Sequence, residues 1–223
     1  MLKLDLHVHS QYSEDGSGTP QQLIDHVQKK GLQGIAITDH NTLEGSLQAR
    51  KLAPKDFVVI PGIEISTTDG HMIALNVTSS IAAHKSVEET VDLILDHGGI
   101  PVVPHVFRNM SGIKKDKLNK IKSKISVIEV FNGCSLPKTN LKTAHLARKY
   151  AFGGTGGSDA HDPIYAGFAY TTVDTTAIDA DTIIAEIVKK KTWGEGTTMP
   201  LSYRRDRMAL SIKQFFTRGF KRI

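Results

Sequence analysis

His7 and His9 close an apolar alternation that begins at Leu4. Side chains two residues apart on a strand point to the same face, roughly 7 Å apart along it, so both imidazoles can grip one metal ion. Other stretches also end a predicted strand in His, Asp or Glu, and the full candidate set is His7, His9, Asp15, His40, Glu64, His71, His105, Asp159 and His161. Six histidines with three carboxylates exceed the needs of one ion, because a catalytic zinc typically takes three protein ligands and keeps a position open for water. Two or three divalent ions are therefore implied, and imidazole with carboxylate suits Zn, Mn or Fe alike. The single cysteine, Cys134, has no second thiol for a disulfide or a Cys-rich zinc site. His26, His84, His97 and His145 lie on predicted helices or loops with no matching pattern around them and read as bystanders.

The elements that must position this set alternate along the chain. Thr19 caps a predicted helix over 20–30, with Pro20 at its first position and Leu23, Ile24 and Val27 as its apolar stripe. A buried strand over 33–38 delivers Asp39 and His40. A helix through Leu47 and Leu52 leads to a strand over 57–66 that carries Glu64, and a turn at 67–70 leads to another over 71–77. Helix 86–98 ends at Gly98-Gly99, and strand 100–105 delivers His105. A lysine-rich helix over 114–124, strand 127–132, helix 139–150, a glycine-rich strand and loop over 153–161, strand 168–173 and helix 179–190 follow. Six or seven strand–helix units with short connections argue an α/β class with a parallel sheet, and a barrel suits them better than an open sheet. In such a barrel the working residues sit at C-terminal strand ends, where His7, His9, Asp39, His40, Glu64, His105 and Asp159 are expected.

At 223 residues, with 39% hydrophobic and 23% charged residues, the chain suits one globular domain and excludes a disordered or fibrous class. No apolar run reaches the roughly 18 to 20 residues of a membrane span, and the N-terminus lacks a basic-then-apolar leader, so a cytoplasmic protein is expected. The net charge of +5 is local: residues 201–223 hold seven basic residues against Asp206, which is +6 and leaves −1 for the preceding 200. A body over 1–195 and a basic tail over 196–223 are expected, and Met208, Ile212, Phe215 and Phe216 share one helical face of that tail. Such a stripe is expected to pack on its own domain or on a partner subunit, with nucleic acid or an anionic surface as the alternative. The oligomeric state is left open.

His7-x-His9-Ser10, Thr38-Asp39-His40, Pro61-Gly62-Ile63-Glu64, His105 after an apolar strand, and Gly157-Ser158-Asp159-Ala160-His161 together resemble the PHP (polymerase and histidinol phosphatase) domain. The likeness runs from residue 2 to about residue 195, with the motifs in the family's order. It implies a distorted seven-stranded (β/α) TIM-like barrel, a trinuclear metal site and phosphoesterase activity. By motif, His7, His9, Glu64 and Asp159 would hold one ion, with Glu64 bridging to a second held by His71 and His105; Asp15, His40 and His161 would hold a third. The family often reads Ser-Asp-Gly in the first loop, and Ser13-Glu14-Asp15-Gly16 has one residue more, which leaves Glu14 as the alternative to Asp15.

Such a cluster supports in-line attack on phosphorus by a hydroxide bridging two ions, made available near neutral pH because metals lower the pKa of water. The third ion, with Arg108 or Lys138, would neutralise phosphate charge, and Asp159 or His161 would shuttle a proton. The expected substrate is a phosphomonoester or nucleotide-like small molecule, histidinol phosphate among the options. A nuclease or exonuclease gripping a strand with the basic tail is the rival enzyme. A non-catalytic RNA-binding subunit, like the protein component of ribonuclease P, predicts eroded ligands, whereas every ligand position here can be filled. Asp39 is a candidate for orienting His40 from behind, and Glu129 and Asn132 close a strand and are candidates for approaching the pocket.

Overall fold

Strand β1 (Leu2–Val8) is buried along its length except at Lys3. The computed structural model describes residues 1–217, apart from the Phe215 side chain. The sequence then runs through helix α1 (Pro20–Lys29), strand β2 (Gly34–Ile37), helix α2 (Glu44–Leu52) and strands β3 (Val58–Val59), β4 (Gly62–Thr67) and β5 (Gly70–Leu75). Helix α3 (Val87–Asp96), strand β6 (Ile100–Val103), helix α4 (Lys115–Ile121), strand β7 (Val127–Asn132), helix α5 (Pro137–Tyr150) and strand β8 (Gly153–Gly157) follow. A 3-10 turn at Pro163–Tyr165 precedes strand β9 (Ala169–Val173), helix α6 (Ala180–Val188), strand β10 (Thr192–Gly196) and helix α7 (Leu201–Thr217).

Local chemistry accounts for several boundaries. Thr19 and Gln22 form a reciprocal capping box at the start of α1, and Ser86 and Glu89 form another at α3. Leu23, Ile24 and Val27 turn the buried face of α1 inward as their spacing requires. The lysine-rich α4 buries only Leu118 and Ile121.

The α/β class is as expected, but strand direction is mixed. One five-stranded sheet has the order β10-β9-β1-β2-β3 and a second the order β4-β5-β6-β7-β8. Pairs β1–β2, β2–β3, β6–β7 and β7–β8 are parallel. Pairs β4–β5, β5–β6, β1–β9 and β9–β10 are antiparallel, which corrects the expectation of a parallel sheet throughout. The reason is local: the turn expected at 67–70 is a tight hairpin, with Thr68-Asp69 between the paired Thr67 and Gly70 and Gly70 at φ +135, so the chain doubles back and β5 runs antiparallel to β4. The single strand expected over 57–66 is two, in different sheets, split at Ile60-Pro61, where proline can donate no ladder hydrogen bond. Strand β10 had no counterpart in the sequence reading. Among the described residues, isolated bridges at Val8–Ala160 and His40–Glu64 join one sheet to the other.

Leu2, Leu4 and Leu6 of β1 share one core with Val58, Ile73, Val102 and Val127, so the two sheets face a common interior, closed below by Ile183 and Ile187 of α6. Val8 instead packs outward with Leu23, Ile24 and Val27 of α1. The ladder between β1 and β2 shifts register between Asp5 and Val8. That irregularity moves the inward positions from even to odd numbers, and so turns His7 and His9 toward the interior above the leucines.

Of the two places expected for the apolar stripe of helix α7, its own domain and a partner subunit, the first is not where it lies: Met208, Ile212 and Phe216 are 61%, 50% and 60% exposed. Tyr203, Arg204 and Arg207, in the first two turns of the helix, reach the body instead. The Phe215 side chain, and Arg218, Lys221 and Arg222, lie outside the described residues.

Candidate metal centre

Every segment that carries a candidate ligand ends at one mouth between the sheets, stitched by backbone hydrogen bonds. The Asp159 N–H donates to His7 O (2.7 Å) and the His9 N–H to Ala160 O (2.8 Å). The Thr38 N–H donates to Val8 O (2.8 Å), the Glu64 N–H to Asp39 O (3.1 Å) and the Asn41 N–H to Glu64 O (2.9 Å). Glu64 lies between Ile63 and Ile65, both in the outer core, so strand alternation alone points its carboxylate inward. His71 reaches the same mouth from the start of its strand because β5 runs antiparallel to β4, with Ser66 opposite His71. His105 and Asp159 adopt left-handed backbone, at φ 28 and 55, which bends their side chains into the mouth at a conformational cost. Gly157 is required by close passage: a Cβ there would lie 2.2 Å from the Cβ of His7.

All nine candidate ligands gather here. The His7 Nε2 atom lies 3.3 Å from His9 Nε2, 3.4 Å from Glu64 Oε2 and 3.5 Å from Asp159 Oδ1. The His9 Nε2 atom is 3.3 Å from Glu64 Oε2 and 3.4 Å from Asp159 Oδ1. Ligand atoms about 2.1 Å from a tetrahedral metal are separated by about 3.4 Å, so His7, His9 and Glu64 have the spacing of one ion's shell, and Asp159 stands at the same spacing from both histidines. The other Glu64 oxygen, Oε1, faces His71 Nδ1 (3.0 Å) and His105 Nε2 (3.1 Å). One carboxylate thus serves two donor groups. Asp15 Oδ2 is 3.0 Å from His161 Nε2 and 3.8 Å from His40 Nε2, and Glu14 is exposed, so Asp15 is the loop residue at the site. With His9 these three form a further group able to hold a cation. The Nδ1 atom of His40 is buried without a hydrogen-bond partner, 3.4 Å from Glu64 Oε2, as suits a nitrogen placed for a metal.

The electrostatics of the site call for positive charge. Burial alone raises Glu64, but His40, His7 and His71 around it overrule that and hold it well below the usual carboxylate range. Burial likewise opposes ionised Asp159, while Arg108 and His7 hold it well below that range. Burial disfavours the His9 cation, yet Asp159 and Glu64 push the ring up to about 9; His40, with burial dominant, falls to about 3 and His105 to about 4.

A second layer orients the first. Glu129 Oε1 lies 2.8 Å from His7 Nδ1, and its Oε2 accepts the His105 N–H (2.9 Å) and the Asn132 amide (2.9 Å). Asn132 also donates to Asp159 Oδ2 (3.1 Å). Arg108 donates to Asn132 Oδ1 (3.1 Å) and Asp159 Oδ2 (2.5 Å). Asp39 accepts the Ser10 N–H and hydroxyl, each at 2.6 Å, and so pins the chain after His9 rather than orienting the His40 ring. Lys138 is exposed on the first turn of α5 and makes no ion pair with the cluster among the described residues. His26, His84, His97 and His145 stay outside the groups able to hold a metal. Tyr203 and Arg207 were missed by the sequence reading. The Tyr203 hydroxyl accepts the His161 N–H (3.2 Å), and Arg207 pairs with Asp15 (2.9 Å). No local pattern marks either; both depend on where α7 docks.

A PHP domain profile matches residues 5–140, and a PHP-associated profile matches residues 137–192. Two uncharacterized proteins of Methanocaldococcus jannaschii are similar to the chain. One is 33% identical over 142 residues (59% of this chain, 82% of that one), the other 35% over 175 residues (76% and 69%). A phosphoribosyl 1,2-cyclic phosphate 1,2-diphosphodiesterase of Eggerthella lenta is 42% identical over 66 residues, 29% of this chain and 25% of that one. Among solved structures, a two-domain protein of Bacteroides vulgatus containing a predicted PHP-like metal-dependent phosphoesterase superposes with a TM-score of 0.76 at 20% identity, over 88% of this chain and 65% of that one. This last likeness concerns the fold.

Proposed function

Because the chain belongs to the PHP domain family, we propose that it is a metal-dependent phosphoesterase, hydrolysing a phosphomonoester or nucleotide-like small molecule at a cluster of two or three divalent ions. The observation that carries this reading is the set of 3.3–3.5 Å separations of His7 and His9 from each other, from Glu64 and from Asp159, the spacing that ligands of one ion keep. In this reading Glu64 bridges to a second position at His71 and His105, and Asp15, His40 and His161 supply a third. In this reading the two five-stranded sheets, joined at isolated bridges and not by a continuous ladder, stand where the family's distorted seven-stranded barrel is expected.

Zn, Mn or Fe ions held in this way neutralise phosphate charge and lower the pKa of water, which supplies a nucleophile near neutral pH. The protein groups do the rest. Arg108, anchored on Asp159 and Asn132 and 34% exposed along its side chain, presents its guanidinium to an oxygen of the phosphate. Glu129 fixes the tautomer and direction of His7. Of the two expected proton carriers, Asp159 is held ionised, against burial, by Arg108 and His7, which leaves His161 to pass the proton that the leaving oxygen takes up. The Eggerthella lenta relative, named for a phosphodiester substrate, supports phosphate-ester hydrolysis as the reaction class. A small substrate is favoured over a nucleic-acid strand because Arg204 and Arg207 of the basic tail are turned to the body, toward Ser135 and Asp15.

The test joins metal analysis of protein purified without chelator to a panel of nucleotides, bisphosphates, sugar phosphates and short oligonucleotides. At least two ions per chain and chelator-sensitive hydrolysis of a small phosphate are expected. Glu64→Gln should lower turnover at least about 10³-fold, the loss of several kcal/mol of charge stabilisation, while keeping the far-UV spectrum. Wild-type turnover by that variant, or a folded chain that binds no divalent ion, contradicts the reading.

A further inference from the structure

The loop ligand Asp15 sits in a polar, glycine-bearing segment between β1 and α1 that has no regular structure of its own. A guanidinium from the far end of the chain holds it. Arg207 Nη1 donates to the Asp15 backbone carbonyl (3.0 Å) and Nη2 to Asp15 Oδ2 (2.9 Å). The same Oδ2 faces His161 Nε2 at 3.0 Å. A carboxylate oxygen has two lone pairs, so one oxygen can accept from Arg207 and still face a cation beside His161. The helix that carries Arg207 is itself fixed to the site. The Tyr203 hydroxyl takes the His161 N–H, its ring lies 4.1 Å from that of Tyr165, and Arg204 donates to Ser135 O (3.0 Å). Tyr203 and Arg207 are four residues apart on α7 and so share one face of it. Helix α7 lies beyond both stretches matched by the family profiles.

We propose that the first two turns of α7 complete the Asp15–His40–His161 metal position: Arg207, through its paired hydrogen bonds to the carboxylate and carbonyl of Asp15, is the positioning residue that fixes Asp15 as a ligand. The inference rests on the metal-cluster reading above. A planar fork that grips both an oxygen of the side chain and the carbonyl of the same residue restrains the carboxylate and the loop backbone together, which a lysine cannot do. With α7 docked, the loop presents Asp15 ready-made. Without Arg207, the same position must be assembled from a loop free to move.

The test is titration of chelator-treated, full-length protein with Mn²⁺ alone, following free ion by its electron paramagnetic resonance signal. Wild type is expected to take up its full complement. In Arg207→Gln the affinity for one ion should fall about 10- to 100-fold, the usual cost of removing an outer partner of a metal ligand, while the other ions and the melting temperature stay close to wild type. Arg207→Lys should recover only part of the loss, and Arg205→Gln, at an exposed position two residues away, should change nothing. Unchanged or tighter binding in Arg207→Gln overturns the inference and leaves the cluster standing. A wild-type chain that binds no Mn²⁺, and no Zn²⁺ in a parallel competition titration, removes the cluster reading and this inference with it.

Discussion

Single residues set the protonation chemistry of the site. Without metal, His9 is pushed up to about 9: burial disfavours its cation, and the carboxylates of Asp159 and Glu64 outweigh that burial. Burial also opposes the His7 cation, and Glu129, Asp159 and Glu64 outweigh it more strongly. A metal takes only the neutral imidazole, so uptake near pH 7 must expel these protons. The affinity should therefore rise with pH up to and beyond about 9, as first His9 and then His7 gives up its proton. Isothermal titration in buffers of different ionisation enthalpy should show about one to two protons released per chain at pH 7, and fewer above pH 9. Equal heats in all buffers at pH 7 would contradict it. Seven of the nine ligand candidates were legible in the sequence because each stands in a short motif beside a strand; His71 and Asp15 followed from the family resemblance alone, with Glu14 as the alternative to Asp15. Glu129 was only half legible, since an acidic residue inside a strand looks like a polar exception until His7 and His105 are seen against it. Arg207 was illegible, because its partner lies 192 residues away.

At the scale of elements, the site depends on how β1 and β8 pass each other. The register shift in β1 aims His7 and His9, and Gly157 lets β8 pass against the Cβ of His7. Gly157→Ala should cost about 1–3 kcal/mol of stability through overpacking, and should displace His7 enough to weaken metal binding. Urea denaturation with a parallel metal titration checks both effects. Full stability with normal affinity would show that the contact can relax. Elements with strong periodicity, such as α1 and α3, stand where their spacing and caps place them. The antiparallel hairpin of β4 and β5 was less legible, because apolar alternation gives a strand but not its direction. Strand β10 escaped because Trp193-Gly194-Glu195-Gly196 carries no apolar alternation, and its place is set by pairing with β9.

For the whole molecule, two sheets of mixed direction share one interior core, and the polar cluster closes the end of that core where β1, β4, β7 and β8 converge. The buried carboxylates Glu64 and Asp159 are costly to enclose without countercharge, and the surrounding imidazoles and Arg108 supply only part of it. Bound cations would complete the balance, and in the proposed reading the fold and the metal centre stand together. The sequence made the α/β class and the convergence of ligands readable, since both follow from local pattern. The division into two sheets, and the docking of α7 by Tyr203 and Arg207, come from long-range pairing that local pattern does not record. The most direct test is X-ray diffraction from crystals of protein purified without chelator, with anomalous maps at the Zn, Fe and Mn edges. An anomalous peak about 2.0–2.3 Å from His7 Nε2, His9 Nε2, Glu64 Oε2 and Asp159 Oδ1 is the predicted result. Well-ordered side chains at those four positions with no peak between them, in protein that had not lost metal, would contradict it.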